Sequence, residues 1–118
     1  MTLEQCYQNM GGDYADAVSR LGSAAMVERF ALRYLKDATM EQLRMAVLEG
    51  DAGASFRCAH TLKGVAANLS FTRLRESASA LTEQLRPGIS LADPALFARV
   101  EQAHREVVVS LTAYGKEK

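Results

Sequence analysis

The sequence predicts an all-α fold, an antiparallel up-and-down four-helix bundle with one or two short N-terminal helices covering one end. Apolar residues recur at spacings of three and four along nearly the whole chain, and no convincing stretch alternates with period two. Only 2 prolines and 8 glycines interrupt the 118 residues, so long helices are possible. We expect a single domain over 1–118, with cap helices in 1–22, the bundle in 23–114 and a polar tail in 115–118.

The first elements are two short helices. The first ends at Gly11 and Gly12, and Asp13 is a suitable N-cap for the second, which stops at Gly22. Each has one apolar side, formed by Leu3, Cys6, Tyr7 and Met10 and then by Tyr14, Ala17, Val18 and Leu21.

Residues 23–49 keep the helical period after an N-cap at Ser23. They fit one long helix or two helices joined by a kink near Asp37, and the pattern leaves both open. Gly50 closes this segment.

The following helices have clear boundaries. Asp51 is a good N-cap for a helix that runs to about Leu69, and a bend at Ser70 or Phe71 separates it from the next. The segment 86–88, Arg-Pro-Gly, is the strongest break in the chain. The last helix starts with a capping aspartate and a proline at the first helical position, Asp93 and Pro94, and runs to Gly115.

Charge and cysteine usage exclude several classes of function. The 14 basic and 14 acidic residues cancel without a basic stripe, which argues against nucleic acid and anionic membranes as partners. No apolar run is long enough to span a membrane, and no signal peptide is visible. Cys6 and Cys58 have neither metal-type nor redox-type spacing, so we expect reduced thiols in a cytoplasmic protein.

His60 should lie on the outside of the helix that starts after Asp51. At about 100° per residue, the apolar stripe of this helix falls opposite the imidazole, and it contains Cys58, Leu62, Val65 and Leu69 with Ala66 beside it. His60 therefore points to solvent or to a partner.

The residues around His60 are unusual for a solvated helix face. Gly53, Phe56, Arg57 and Ala67 share that face, and Gly64 follows the histidine by one turn. A glycine inside a helix costs about 1 kcal/mol relative to alanine. It therefore indicates either an access hole beside the imidazole or a close helix–helix approach. Lys63, one turn further along, could offset the negative charge of a phosphoryl group on His60.

The segment 59–69, AHTLKGVAANL, resembles the signature of histidine-containing phosphotransfer (HPt) domains. The similarity extends to 13–22, which is similar to the family's opening helix, and its specific part covers about 49–86. The resemblance implies a four-helix bundle whose exposed histidine takes a phosphoryl group from one receiver-domain aspartate and passes it to another.

The resemblance also implies roles for individual residues. His60 matches the phosphoacceptor, Lys63 the phosphate-stabilising residue and Gly64 the access position. Ser70 stands where the family usually has glycine, and Thr82 stands where many members have a glutamine that orients the imidazole. Thr82 is a candidate for that orienting role. The expected partner-binding surface consists of Phe56, Arg57, Ala67, Asn68 and Phe71.

We therefore expect a cytoplasmic phosphoprotein that acts as a phosphorelay intermediate in two-component signal transduction. It should not be an enzyme, since no ATP-binding or kinase motif is present. The expected partners are a response-regulator receiver domain and a sensor histidine kinase, including the hybrid type. No cofactor of its own is expected, since Mg²⁺ would come with the receiver. We expect a monomeric, free-standing bacterial protein that binds neither nucleic acid nor membrane.

Two alternatives remain open at this stage. The chain could be a helical adaptor that is not phosphorylated, or the phosphoacceptor domain of a larger chemotaxis-type histidine kinase.

The second histidine, His104, lies on the apolar stripe of the last helix and should be a packing residue. Neither histidine has Cys, His or carboxylate neighbours at metal-ligand spacing, so no metal site is expected.

Overall fold

The computed structural model describes residues 1–117, and every regular element in that range is helical. The helices are α1 (Leu3–Asn9), α2 (Tyr14–Leu21), α3 (Ala24–Arg33), α4 (Thr39–Leu48), α5 (Ala52–Asn68), α6 (Thr72–Leu85) and α7 (Pro94–Lys116), with a 3₁₀ turn at Tyr34–Lys36. The all-α prediction is confirmed. Part of the predicted polar tail is the end of α7, and Lys118 lies outside the described residues.

The predicted N-caps hold the starts of four helices. The side chains of Asp13, Ser23, Asp51 and Asp93 each accept a hydrogen bond from a backbone N–H in the first turn of α2, α3, α5 and α7. Each cap satisfies a donor that the helix itself leaves without a partner, which typically stabilises a helix by about 1 kcal/mol.

The segment 23–49 forms two helices rather than one. The chain leaves the helical path after the 3₁₀ turn, where Asp37 is extended and its carboxylate accepts a hydrogen bond from the Thr39 N–H at 2.8 Å. Tyr34 in this turn is buried, and its hydroxyl lies 2.8 Å from Nδ1 of His104 on α7. The break therefore places a tyrosine in the core and ties α3 to α7.

The longer helices pack in chain order. α5 contacts α4 and α6, and α6 contacts α7. The connections 49–51 and 69–71 are only three residues each, so these neighbours form compact helical pairs. No helix within 1–117 combines the length and apolar character needed to cross a membrane.

The N-terminal helices are attached to the turn between α5 and α6. The Tyr7 hydroxyl donates to the Leu69 carbonyl at 2.8 Å, and the Asp13 N–H donates to the Ser70 carbonyl at 2.9 Å. In return, the Arg73 N–H at the start of α6 donates to the Gly11 carbonyl at 3.0 Å. These bonds fix the end of α5, the helix that carries His60.

Ser70 keeps the backbone conformation that glycine usually adopts. Its φ is 56°, in the left-handed region. Its hydroxyl donates to the Asp16 carboxylate at 2.7 Å, which links the turn to α2. This hydrogen bond, followed by the one from Arg20, lowers the pKa of Asp16 below its ordinary value.

Candidate functional site

His60 is exposed on the outer face of α5, as the helical periodicity predicts. Arg57, Thr61, Gly64 and Asn68 are exposed on the same face. The buried residues of the helix lie on the other side, namely Ser55, Ala59, Leu62 and Ala66. An exposed imidazole on a rigid helix can be reached by another protein without any rearrangement of the core.

The buried stripe is rotated from the predicted one. Ala59 and Ala66 are fully buried at 0% exposure, whereas Cys58 and Val65 are only half-buried. The reason is that α5 packs between α4 and α6, and Cys58 lines a shallow groove beside Met45 of α4. His60 remains on the solvent side, because the rotation of the buried stripe is too small to include the histidine.

Gly64 lies next to open space. A Cβ atom built on this residue would meet no atom of the described chain within 4 Å, apart from its own helix backbone and adjacent residues. The close helix–helix approach considered from the sequence is therefore wrong. Nothing in the packing of residues 1–117 requires a glycine at this position.

Lys63 is half-buried on the helical turn after His60. Side chains three residues apart on a helix are neighbours, with Cβ atoms about 5–6 Å apart. Within the described residues no carboxylate forms an ion pair with the Lys63 ammonium group. This cation is thus available to an anion that arrives at His60.

The imidazole of His60 has an aromatic neighbour on its own helix. The rings of Phe56 and His60 are stacked, with centroids 6.2 Å apart and an interplanar angle of 23°. The Arg86 guanidinium lies over the Phe56 ring, with Cζ 5.1 Å from the centroid. Arg86 also pairs with Glu83 at 3.3 Å. The site therefore includes the end of α6 as well as α5.

Thr82 does not orient His60, so this prediction is wrong. Its side chain is fully buried, and its hydroxyl donates to the Ala78 carbonyl of its own helix at 2.7 Å. A threonine hydroxyl is short and readily bonds the backbone one turn earlier. Among residues 1–117, His60 makes no side-chain hydrogen bond to Thr82 or to any other residue.

Phe71 was predicted to contact partners, and this prediction is also wrong. The ring is fully buried at 0% exposure, packed against Tyr7 at 5.6 Å and Tyr34 at 5.4 Å between centroids. The tight turn after α5 directs Phe71 inward, so it belongs to an aromatic cluster in the core rather than to the His60 face.

The other predicted docking residues remain at the surface. Arg57 and Asn68 are exposed, and Phe56 and Ala67 are half-buried. Asn68 also lines a groove of about 500 Å³ that lies between α5 and the pair α2 and α3. The sequence patterns did not reveal this groove, whose other walls include Arg20, Leu21, Phe30 and Arg33.

His104 is a packing residue, as predicted. It is half-buried, with Nδ1 on the Tyr34 hydroxyl and its ring edge-on to the Tyr34 ring at 5.7 Å. Burial, followed by the positive charges of Arg44 and Arg105, lowers the pKa of this imidazole. Across residues 1–117, no group of three or more His, Cys, Asp or Glu side chains is placed to hold a metal ion.

Comparison with protein-family models gives a match to the Hpt domain over residues 36–109. The match includes α4, α5 and α6 and most of α7, and therefore all of the His60 face. Comparisons with curated proteins and with solved structures give no match.

Proposed function

The chain belongs to the Hpt domain family, and we propose that it is a phosphorelay intermediate with His60 as its phosphoacceptor. Hpt domains are phosphotransfer carriers of two-component signalling rather than kinases. The observation that carries the proposal is an exposed histidine beside a helical glycine whose missing side chain leaves open space. An approaching receiver domain can fill that space.

The transfer moves a phosphoryl group between two side chains. A neutral imidazole nitrogen of His60 attacks the phosphorus of the receiver's aspartyl phosphate with its in-plane lone pair. The N–P bond forms while the bond between phosphorus and the aspartyl oxygen breaks, and the electron pair of that bond returns to the receiver's carboxylate. The reverse step passes the group to a second receiver.

The chain's own contribution is positioning and charge. Lys63 has no ion-pair partner in 1–117 and lies three residues after His60, so its ammonium group would be near the phosphoryl oxygens and would offset their charge. Within residues 1–117 no group of three or more His, Cys, Asp or Glu side chains is placed to hold a metal ion, and the Mg²⁺ that phosphoryl transfer uses would be bound by the receiver.

The docking surface is centred on His60 and Gly64. Arg57, Ala67 and Asn68 extend it, and the groove beside Asn68 adds apolar side chains from α2 and α3. A surface that combines apolar side chains with arginines around the histidine suits the acidic phosphorylation pocket of a receiver domain. The same surface would serve a sensor histidine kinase of the hybrid type, which carries a receiver.

Several broader features belong to the same proposal. The chain would be one domain in which α4, α5, α6 and α7 form an antiparallel up-and-down bundle. Short connections and the packing of consecutive helices support this arrangement. A monomer in the cytoplasm, where receiver domains are found, fits the proposed role.

The test is phosphoryl transfer from a phosphorylated receiver domain to the purified protein. Wild type should acquire a label that is labile to acid and stable to alkali. His60→Gln should acquire none, while His104→Gln, which changes the other histidine of the chain, should be labelled like wild type. Absence of label on wild type with a broad range of receivers would favour the adaptor alternative. Label that persists in His60→Gln would show that another residue is the acceptor.

A further inference from the structure

The orientation of the His60 ring is not set by a hydrogen bond. No donor or acceptor side chain in residues 1–117 bonds to it, and Thr82 uses its hydroxyl elsewhere. The lone pair of an imidazole nitrogen lies in the plane of the ring. A contact that restricts the plane therefore restricts the direction of attack on phosphorus, and such restriction accelerates bimolecular transfer.

The aromatic neighbour of this imidazole is Phe56, whose ring is stacked on it. An angle of 23° and a centroid distance of 6.2 Å fall in the range of favourable offset stacking. The two residues are four apart on one helix, so the backbone keeps their side chains on the same face. An exposed histidine would otherwise sample several rotamers.

Phe56 is itself held from several directions. It is half-buried and packs against the hydrophobic core. The guanidinium of Arg86 covers its ring, and the loop after α6 comes close, since a Cβ on Gly88 would lie 3.9 Å from the Phe56 Cβ. The Phe56 side chain is therefore packed on more than one side.

We propose that Phe56, packed against Arg86, is the positioning residue for the His60 imidazole. Ring stacking would orient the imidazole in place of the hydrogen bond that Thr82 does not make. The inference rests on the proposed phosphotransfer function. It assigns Phe56 an intramolecular role in transfer instead of the partner contact expected from its place on the helix face.

The proposal is tested with Phe56→Leu, which removes the aromatic face and keeps apolar bulk, and Phe56→Tyr, which restores the face. Single-turnover transfer from a phosphorylated receiver should have a maximal rate about five- to tenfold lower in Phe56→Leu, with half-saturating receiver concentration unchanged. Phe56→Tyr should restore the rate. The maximal transfer rate of Arg86→Gln should lie between those of wild type and Phe56→Leu.

The NMR signals of the His60 ring protons report the stack without any transfer. They should lose the ring-current shift of Phe56 in Phe56→Leu and regain it in Phe56→Tyr. Phe97→Leu, which changes another half-buried phenylalanine on α7, should alter neither rate nor shift. A change in half-saturation alone would assign Phe56 to docking and overturn the proposal, as would unchanged His60 signals in Phe56→Leu. Failure of wild type to accept phosphate would instead refute the proposed function.

Discussion

At the scale of single residues, Gly64 combines a poor helix former with open space. A glycine in the middle of α5 lowers helix stability, and the structure contains no close contact that would require it. A side chain added at Gly64 should therefore raise the free energy of unfolding, whereas a bulky one should lower the rate of phosphoryl transfer. Departures from local propensity of this kind are typical of functional positions.

Gly64→Ala should raise the free energy of unfolding by about 1 kcal/mol, since it removes the helix cost of glycine without a clash. Gly64→Leu should fold but slow phosphoryl transfer about tenfold or more, because the leucine occupies the approach path beside His60. Urea denaturation and single-turnover transfer measure the two effects. Gly115→Leu, at a helical glycine of α7, is the matched control and should leave transfer unchanged. Normal transfer in Gly64→Leu would contradict the access role.

At the scale of elements, the turn from α5 to α6 shows how a non-glycine residue is accommodated in a left-handed backbone conformation. Ser70 adopts a left-handed conformation that costs a non-glycine residue about 1–2 kcal/mol. Its hydroxyl gains a hydrogen bond to Asp16 in return. The turn thus keeps the geometry that directs Phe71 into the core and α6 back along α5.

Ser70→Ala should lower the free energy of unfolding by about 1 kcal/mol, because it loses the hydrogen bond and keeps the strained backbone. Ser70→Gly loses the same bond but relieves the strain, so it should remain within about 0.5 kcal/mol of wild type. Chemical denaturation of the two variants side by side makes this comparison. Equal losses in both would mean that the left-handed conformation carries no cost here.

At the scale of the whole molecule, two tyrosine hydroxyls add hydrogen bonds to the apolar packing that holds the N-terminal helices and α7 in the core. Tyr7 bonds the end of α5, and Tyr34 bonds His104 across the gap between the 3₁₀ turn and α7. The His104 contact is sensitive to protonation, because burial and two arginines disfavour the charged ring. Folding stability should therefore depend on pH through a residue distant in sequence from His60.

The folded protein binds a proton at His104 less readily than the unfolded chain, since the folded-state pKa is lowered from 6.5. The stabilisation that neutral His104 contributes to folding is present above pH 6.5, and it is lost as the pH falls from there toward the lower pKa of the folded state. The free energy of unfolding should thus decrease between about pH 7 and about pH 5. The free energy of unfolding, measured by urea denaturation at several pH values in this range, should decrease less in His104→Gln than in wild type. Identical slopes in wild type and variant would exclude His104 as the cause.

The helical class, most element boundaries and the outward direction of His60 follow from local chemistry that can be read along the chain. N-caps such as Asp51 and Asp93 act within the first turn of their own helix, so helix starts can be predicted without knowing which other helices pack nearby. The break at Asp37, the burial of Phe71 and the hydrogen-bond partner of Thr82 became known from the folded structure, because they depend on which helices pack against each other. The same holds for His60: its exposure follows from periodicity, whereas its support by Phe56 and Arg86 requires α6 to end beside α5.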